Sequence, residues 1–447
     1  MMLWNSVAED VVQKMFREAV EKESRERKDN SIKRLSYYHD EQESYIIEML
    51  EKHHADPGAF SPVFFNVCKK IINQLAMVYM ADATRELADA TDRDKVIFNQ
   101  IVESSNLNLK MKTASRYTQL LKTIMLRPIW RQGKMDLDIL TPDILDIEYG
   151  DSPEILKRVM VTHYPQSGES KDIEYSMWTD ETYKRLDYNG NTITSEPNPY
   201  NTITFIPIWD AFPATGGFWL PGGEDLVSVQ STINAKLTDL MLVLEYQGFG
   251  VPVAKGLPMG GRLEIGFNTA IEIENPEGSF TFEKTNSPIQ AILNSIQFLA
   301  SNLALSNGLS AASMSTKPTQ ESGLSRISGS AELTELRKDQ ISLFGRYERQ
   351  LFNMFRLVWN VHNPTKKISD TARLKIDFFD PRPVMSPDKQ AELWQAELAM
   401  GTLSRTDILM LKNPDLSKED AIQKLAEIQA ENKTFNTSPD QGVKPEE

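Results

Sequence analysis

The chain has 447 residues, enough for two to four domains, and its 40% hydrophobic and 25% charged residues are the balance of a globular protein. A net charge of −14 disfavours tight, static binding of nucleic acid, which asks for a basic face. It suits a surface past which phosphates slide, since every strong cation–phosphate contact slows release, and it equally suits an acidic protein with no nucleic-acid role. The single cysteine, Cys68, excludes an internal disulfide and points to folding in a reducing cytosol. It sits in the apolar run Val63, Phe64, Val67, Ile71 and Ile72, as expected of a buried thiol rather than a nucleophile.

Met1-Met2-Leu3-Trp4-Asn5 carries neither a basic stretch nor a long apolar core, so no signal peptide is expected there, and no run reaches the roughly 18 apolar residues of a membrane span. Residues 6–54 read as helices with a polar surface. Ser6 and Glu9 form a capping-box pattern, Val7, Val11, Met15 and Val20 a thin stripe, and 21–29 a charge run suited to a solvated face or to the outer rim of an assembly. Ser61-Pro62 reads as the start of a second helix, with Val63, Val67, Ile71, Leu75 and Val78 on its buried face as far as Met80. Helical patterning is expected to continue over 81–104 and again over 111–125. Residues 126–131 and 134–140 read as a hairpin about Gln132-Gly133, with a further strand over 144–149. Strands follow over 156–164, 172–178, 182–188 and 202–208, with Asn189-Gly190 as a turn. Helices followed by a mixed sheet predict an α+β fold, mainly helical.

Residues 223–247 carry Leu226, Val229, Ile233, Leu237, Leu240 and Leu244 at steps of three or four, one stripe of a helix. Glu224 and Asp225 lie in its first turn, where the helix dipole favours them, and Gly248 and Gly250 end it. The insert 249–286 holds strand-like runs over 262–265, 270–273 and 279–283, with Asn275-Pro276-Glu277-Gly278 as a turn. A second helix, 288–306, takes Pro288 at its first position after Ser287 as cap, with the stripe Ile289, Ile292, Leu293, Ile296, Leu299 and Leu303. Residues 308–325 are rich in Ser, Thr and Gly, read as too polar to pack, and are long for an ordinary turn. Residues 327–362 form a long helix whose stripe, Leu333, Leu336, Leu343, Tyr347, Leu351, Phe355 and Val358, is widened by Phe344, Phe352 and Trp359. Gly329 and Gly345 are places for it to bend. Copies packed on both sides of this helix would explain its wide stripe. Residues 373–379 alternate as a strand that must return to an upstream sheet. Three short helices follow, capped at Ser386-Pro387, by Ser404 with Asp407, and by Ser417 with Asp420, before a polar tail, 434–447, expected to be disordered.

Signatures of catalysis are missing. There is no phosphate-binding Gly-rich loop with Lys and Ser/Thr, no His-Glu-x-x-His and no Gly-x-Ser-x-Gly. Among the histidines His39, His53, His54, His163 and His362, the adjacent pair would point apart on a helix, which suits solvated helix-end residues better than a metal site. No catalytic residue, metal site or cofactor is expected.

The series of helix, small β-rich insert, helix, polar loop and long helix resembles the portal proteins of tailed bacteriophages, the ring at one vertex of the viral head. Ile206-Pro207-Ile208-Trp209 and Leu220-Pro221-Gly222-Gly223-Glu224-Asp225-Leu226 resemble the hinge before the stem in that family. The resemblance spans about 55–431 and implies a wing over 1–222, stem helices over 223–247 and 287–307, and a clip over 248–286. It further implies a tunnel loop over 308–325, a core helix with return strand over 326–385, and a crown over 386–433. It implies a twelve-fold cyclic homo-oligomer in the virion, assembled in the host cytoplasm. This ring would pass double-stranded DNA, nucleate the capsid with the major capsid protein and scaffold, dock the terminase large subunit, and later hold the head-completion adaptor and tail. Residues implied at the channel are Ser315, Lys317, Thr319, Gln320 and Arg326, with Lys317 either a transient phosphate contact or a solvated loop lysine. Residues implied at the docking clip are Lys255, Arg262, Glu264, Glu272, Glu274 and Glu277. Lys236 of the first stem-like helix is a further lumen candidate. The rival reading is an intracellular scaffold or adaptor with a helical arm that never touches DNA.

Overall fold

The computed structural model describes residues 21–53, 62–214, 217–249, 251–255, 277–283, 288–314, 331–378, 387–413 and 416–436. The fold is α+β and mainly helical, and the chain divides into two compact units, Met1–Phe379 and Asp380–Glu447.

In the first unit, a helix over 21–38 (α1) turns at Asp40, φ +68°, into Glu43–His53 (α2). The charge run 21–29 is the solvated face expected: Glu21, Lys22, Glu23, Arg25, Glu26 and Asp29 are exposed and no residue of the run is buried. Farther along α1, Ser31, Arg34, Tyr37 and Tyr38 are buried, because this half of the helix lies on the chain's own core. The capping pattern at Ser6 lies outside the described residues. The next helix starts at Val67, not at Pro62, and runs to Leu75 (α3), since Asn66 supplies the cap by accepting from Lys69 N at 2.7 Å. Its face buries Val67, Cys68, Ile71, Ile72 and Leu75.

The helical expectation over 81–104 fails in its first half. Thr84–Ala88 is a strand (β1), and the helix Asp92–Ser104 (α4) begins only after the capping box of Thr91 with Asp94. The reason is tertiary: β1 pairs antiparallel with the return strand Arg373–Asp377 (β12), in a sheet of their own. Leu107–Leu121 (α5) ends four residues earlier than its pattern suggests, at Lys122 in the left-handed region, φ +66°. The chain turns there directly into Thr123–Arg131 (β2), which pairs with Lys134–Leu140 (β3) through Gln132-Gly133 as expected. Ile206–Trp209 (β9) joins the other edge of β2. Leu145–Tyr149 (β4), Leu156–His163 (β5), Glu174–Trp178 (β6), Thr182–Leu186 (β7) and Thr192–Pro197 (β8) make an antiparallel meander. The turn at Asn189-Gly190 holds, while β8, polar and exposed, carries no apolar alternation that would announce it.

The core lies where α3, α4 and α5 meet β2 and the long helix. Ile101, Met111, Ala114, Leu120, Ile124, Met125 and Leu126 are fully buried. The long helix is described over Ala331–His362 and is continuous through Gly345. Its wide stripe needs no second copy: Phe344, Tyr347, Leu351, Phe352, Phe355 and Val358 are buried by the chain itself. Phe98 meets Phe352 edge-on at 5.2 Å, and Tyr79 meets Phe344 at 5.6 Å. On the same helix Glu348, 1% exposed, takes two hydrogen bonds from Arg85 at 2.5 and 2.9 Å and one from Tyr79 Oη at 2.7 Å.

The second unit contains helices Pro387–Met400, Arg405–Lys412 and Lys418–Asn436. The expected caps at Ser404 with Asp407 and at Ser417 with Asp420 are both present. The last helix runs to Asn436, past the start of the tail expected to be disordered, and 437–447 lie outside the described residues.

Candidate functional site: the helix pair and its ribbon

The first predicted stem helix forms over Glu224–Phe249 (α6), and the second over Ile289–Ser306 (α7). Between them Val251–Lys255 (β10) pairs antiparallel with Ser279–Glu283 (β11), from Val251 opposite Glu283 to Lys255 opposite Ser279. The partner strand β10 was not expected. Its alternation is interrupted by Pro252, which an edge strand tolerates. The predicted strands over 262–265 and 270–273 lie outside the described residues.

The hinge into α6 is tightly built. Trp209 is buried, and its indole Nε1 donates to Phe218 O at 2.7 Å. The Tyr347 hydroxyl bridges the Trp209 backbone, accepting from its N and donating to its O at 3.1 Å each. Gly222 and Gly223 follow with φ of +119° and +85°. A Cβ at Gly223 would stand 3.2 Å from Leu120 O and 3.3 Å from Arg34 Nη1, so both conformation and space call for glycine. Arg34 reaches Glu224, in the first turn of α6, at 2.5 Å. Burial lowers the pKa of Arg34 and of Arg27, opposed by Glu224 and by Asp146 respectively. Arg27 lies 4.0 Å over the Trp219 ring. A cleft of about 620 Å³ opens here among Arg27, Arg34, Asp146, Trp219 and Glu224.

Leu226, Ile233, Leu237 and Leu240 of α6 are buried as the stripe predicts, Val229 is half-buried and Leu244 is exposed. Sequence reasoning missed a second buried line on the same helix. Gln230 and Asn234 are 0% exposed and Thr238 is 1% exposed. Gln230 Oε1 accepts from Val67 N and Cys68 N at 2.8 and 3.1 Å, holding the start of α3. Gln230 Nε2 donates to Phe65 O and to Asn234 Oδ1, and Asn234 Nδ2 donates to Gln42 Oε1 at 2.8 Å. The spacing of four between uncharged polar residues is the signal that was available.

On α7, Ile296, Ala300, Leu303 and Ala304 are buried, while Leu293, placed on the stripe by its spacing, is exposed. Pro288 occupies the cap position itself, without a side-chain cap bond, one place earlier than predicted. After α7, Gly308 at φ +73° donates to Leu305 O, and Leu309 N reaches back to Ala304 O at 2.9 Å, a Schellman closure with Leu309 buried. Ala311–Met314 forms a short 3₁₀ turn with Met314 buried. The start of the predicted tunnel loop is therefore packed, contrary to the expectation from its polarity, because Leu309 and Met314 anchor it.

Of the predicted site residues, Lys255 and Glu277 lie at the same end of the ribbon, both exposed. Ser315, Lys317, Thr319, Gln320 and Arg326, and Arg262, Glu264, Glu272 and Glu274, lie outside the described residues. Lys236, half-exposed, is 3.5 Å from Asp239. Among the described residues no cluster of His, Cys, Asp and Glu could hold a metal, and no helix is long and apolar enough to cross a membrane. His163 meets Ser176 Oγ at 2.7 Å, and His362 stacks on Trp130 at 5.3 Å while meeting Tyr200 Oη at 2.9 Å. Cys68 is buried and its thiol is pushed up to about 12 by burial.

No family model matches the chain, and no curated protein matches it. Solved structures that it resembles are a chain of the neck of an empty GTA particle computed with C6 symmetry (12% identity, TM-score 0.42, 77% of this chain and 88% of that one) and a chain of the virion of a native gene transfer agent particle (13%, 0.41, 79% and 90%). A chain of the neck of a native GTA particle computed with C12 symmetry is similar as well (12%, 0.43, 78% and 90%). At these scores the likeness carries no argument about this chain's role.

Proposed function

We propose that this chain is the subunit of a phage-type portal, a closed ring that forms the channel for double-stranded DNA at a capsid vertex. The observation that carries the reading is the α6–ribbon–α7 unit, two helices closed by a two-stranded ribbon. A packed turn follows it, and then a 32-residue helix that runs through the core of the α+β body. The role is mechanical rather than catalytic. Identical copies meet head to tail, as any cyclic ring requires. The ribbon, whose described pair of strands cannot by itself bury a core, serves as the docking tip for the terminase motor during packaging and for the head-completion adaptor afterwards. The acidic chain suits passage, since a channel that held phosphates strongly would stall them. The ring is twelve-fold in the virion, and capsid protein and scaffold assemble around it.

Negative-stain electron microscopy of the purified chain, with native mass alongside, tests this reading. Rings with a central hole are expected. A monodisperse monomer or dimer across salt concentrations would favour an adaptor without a channel.

A further inference from the structure

Residues 285–316 contain no Asp, Glu, Lys or Arg, in a chain where a quarter of residues are charged. The helix α7 lies entirely within this stretch. Its buried side accounts for Ile296, Ala300, Leu303 and Ala304. The opposite side carries Ala291, Asn294, Phe298, Asn302 and Leu305, at steps of three and four, all exposed. Phe298 is 66% exposed and Leu305 54%. A solvated helix face normally carries charge, and this exposed face carries none.

We propose that this outward face of α7 is the contact surface for a neighbouring copy of the same chain; the inference rests on the ring reading above and names its interface. Each copy carries a net charge of −14, so copies repel unless they meet where charge is absent, and α7 is that place. A phosphate-binding face would need Lys or Arg, which the stretch lacks. A lipid-facing side would be apolar along its length, whereas Asn294 and Asn302 interrupt it. Amides spaced between apolar residues are what a packed helix seam uses to set register. Asn294 Oδ1 accepts from Gln290 Nε2 at 2.9 Å, and Asn302 Nδ2 donates to Phe298 O at 2.9 Å, so both amides are oriented within α7. A head-to-tail contact needs a second, different patch, and Met241 and Leu244, exposed on α6, supply apolar side chains for it.

The test uses the full chain as Phe298→Glu and as Phe298→Cys. The native cysteine is buried, so a maleimide reports position 298 alone. Phe298→Glu is expected to raise the concentration needed for assembly at least about tenfold in sedimentation velocity, with its thermal unfolding unchanged. Phe298→Cys is expected to label about tenfold more slowly in the assembled chain than below its assembly concentration. Assembly of Phe298→Glu at the wild-type concentration, or equal labelling in both states, overturns the contact while leaving the ring intact. A wild-type chain that stays monomeric under all conditions removes the ring and this contact together.

Discussion

Glu348 and Arg85 are 1% and 3% exposed at their side chains, and each satisfies the other with the help of Tyr79. Burial, with Glu348 alongside, pushes the Tyr79 hydroxyl well above its ordinary range, so it stays a donor. Removing one charge leaves the other buried and unpaired. Glu348→Ala is expected to cost about 3–5 kcal/mol in denaturant unfolding, and Arg85→Met with Glu348→Leu to recover most of that loss. Gln230 poses the same problem without charge. Gln230→Leu would take the acceptor from the Cys68 amide and leave that of Val67 only its 3.1 Å bond to Phe65 O, for an expected loss of about 1–3 kcal/mol, whereas Ser228→Ala, exposed on the same helix, should be near neutral. These residues fix where α6 and the long helix sit, and both are upstream of anything the ribbon or the α7 face can do.

Whole elements turn on caps and strand partners. The α4 boundary depends on Thr91 and Asp94, and Asp94 also accepts from Ser369 N at 3.1 Å, tying α4 to the chain just before β12. Burial raises the pKa of Asp94, but the hydrogen bonds from Thr91 and Ser369 together outweigh it, and the carboxyl is held below its ordinary value. A carboxyl depressed in the folded state stabilises above the unfolded carboxylate pKa, near 3.9, and loses that contribution as pH falls through the lower folded value. Thr91→Ala is expected to lower stability by about 1 kcal/mol at neutral pH, a difference that narrows in acid titrations of the unfolding midpoint. The strand β1 shows how such boundaries escape a reading from local pattern. Nothing within residues 84–88 demands a strand until residues 373–377 arrive beside them.

At the scale of the molecule, the packed start of the segment after α7 narrows which residues a test of the proposed channel loop should alter. With Leu309 and Met314 buried, shortening only 315–325 is expected to leave assembly intact while impairing DNA packaging or retention in an infection assay. DNA-filled heads at normal yield would count against the role assigned to that loop. The C-terminal unit has its own vulnerability. Among its described residues Ala421 is the one buried hydrophobic side chain, and the helix Arg405–Lys412 has none. Limited proteolysis is expected to cut within 387–436 before it cuts within 62–214, since segments with few buried contacts open most readily.

The sequence by itself determined the features that depend on local periodicity and turn chemistry. These are the α6 and α7 stripes, the β2–β3 hairpin, the capping box at Ser404 and the cap at Ser417, the burial of Cys68, and the order of elements on which the portal resemblance stands. Such signals lie within a few residues of one another, so they survive without a fold. Tertiary structure alone decided the β1–β12 pairing, the strand β10, the burial of the second half of α1, the bonds of Gln230 to Val67 and of Asn234 to Gln42, and the Arg85–Glu348 pair. Each joins residues far apart in the chain, and a polar side chain announces its burial only when its hydrogen-bond partner is known.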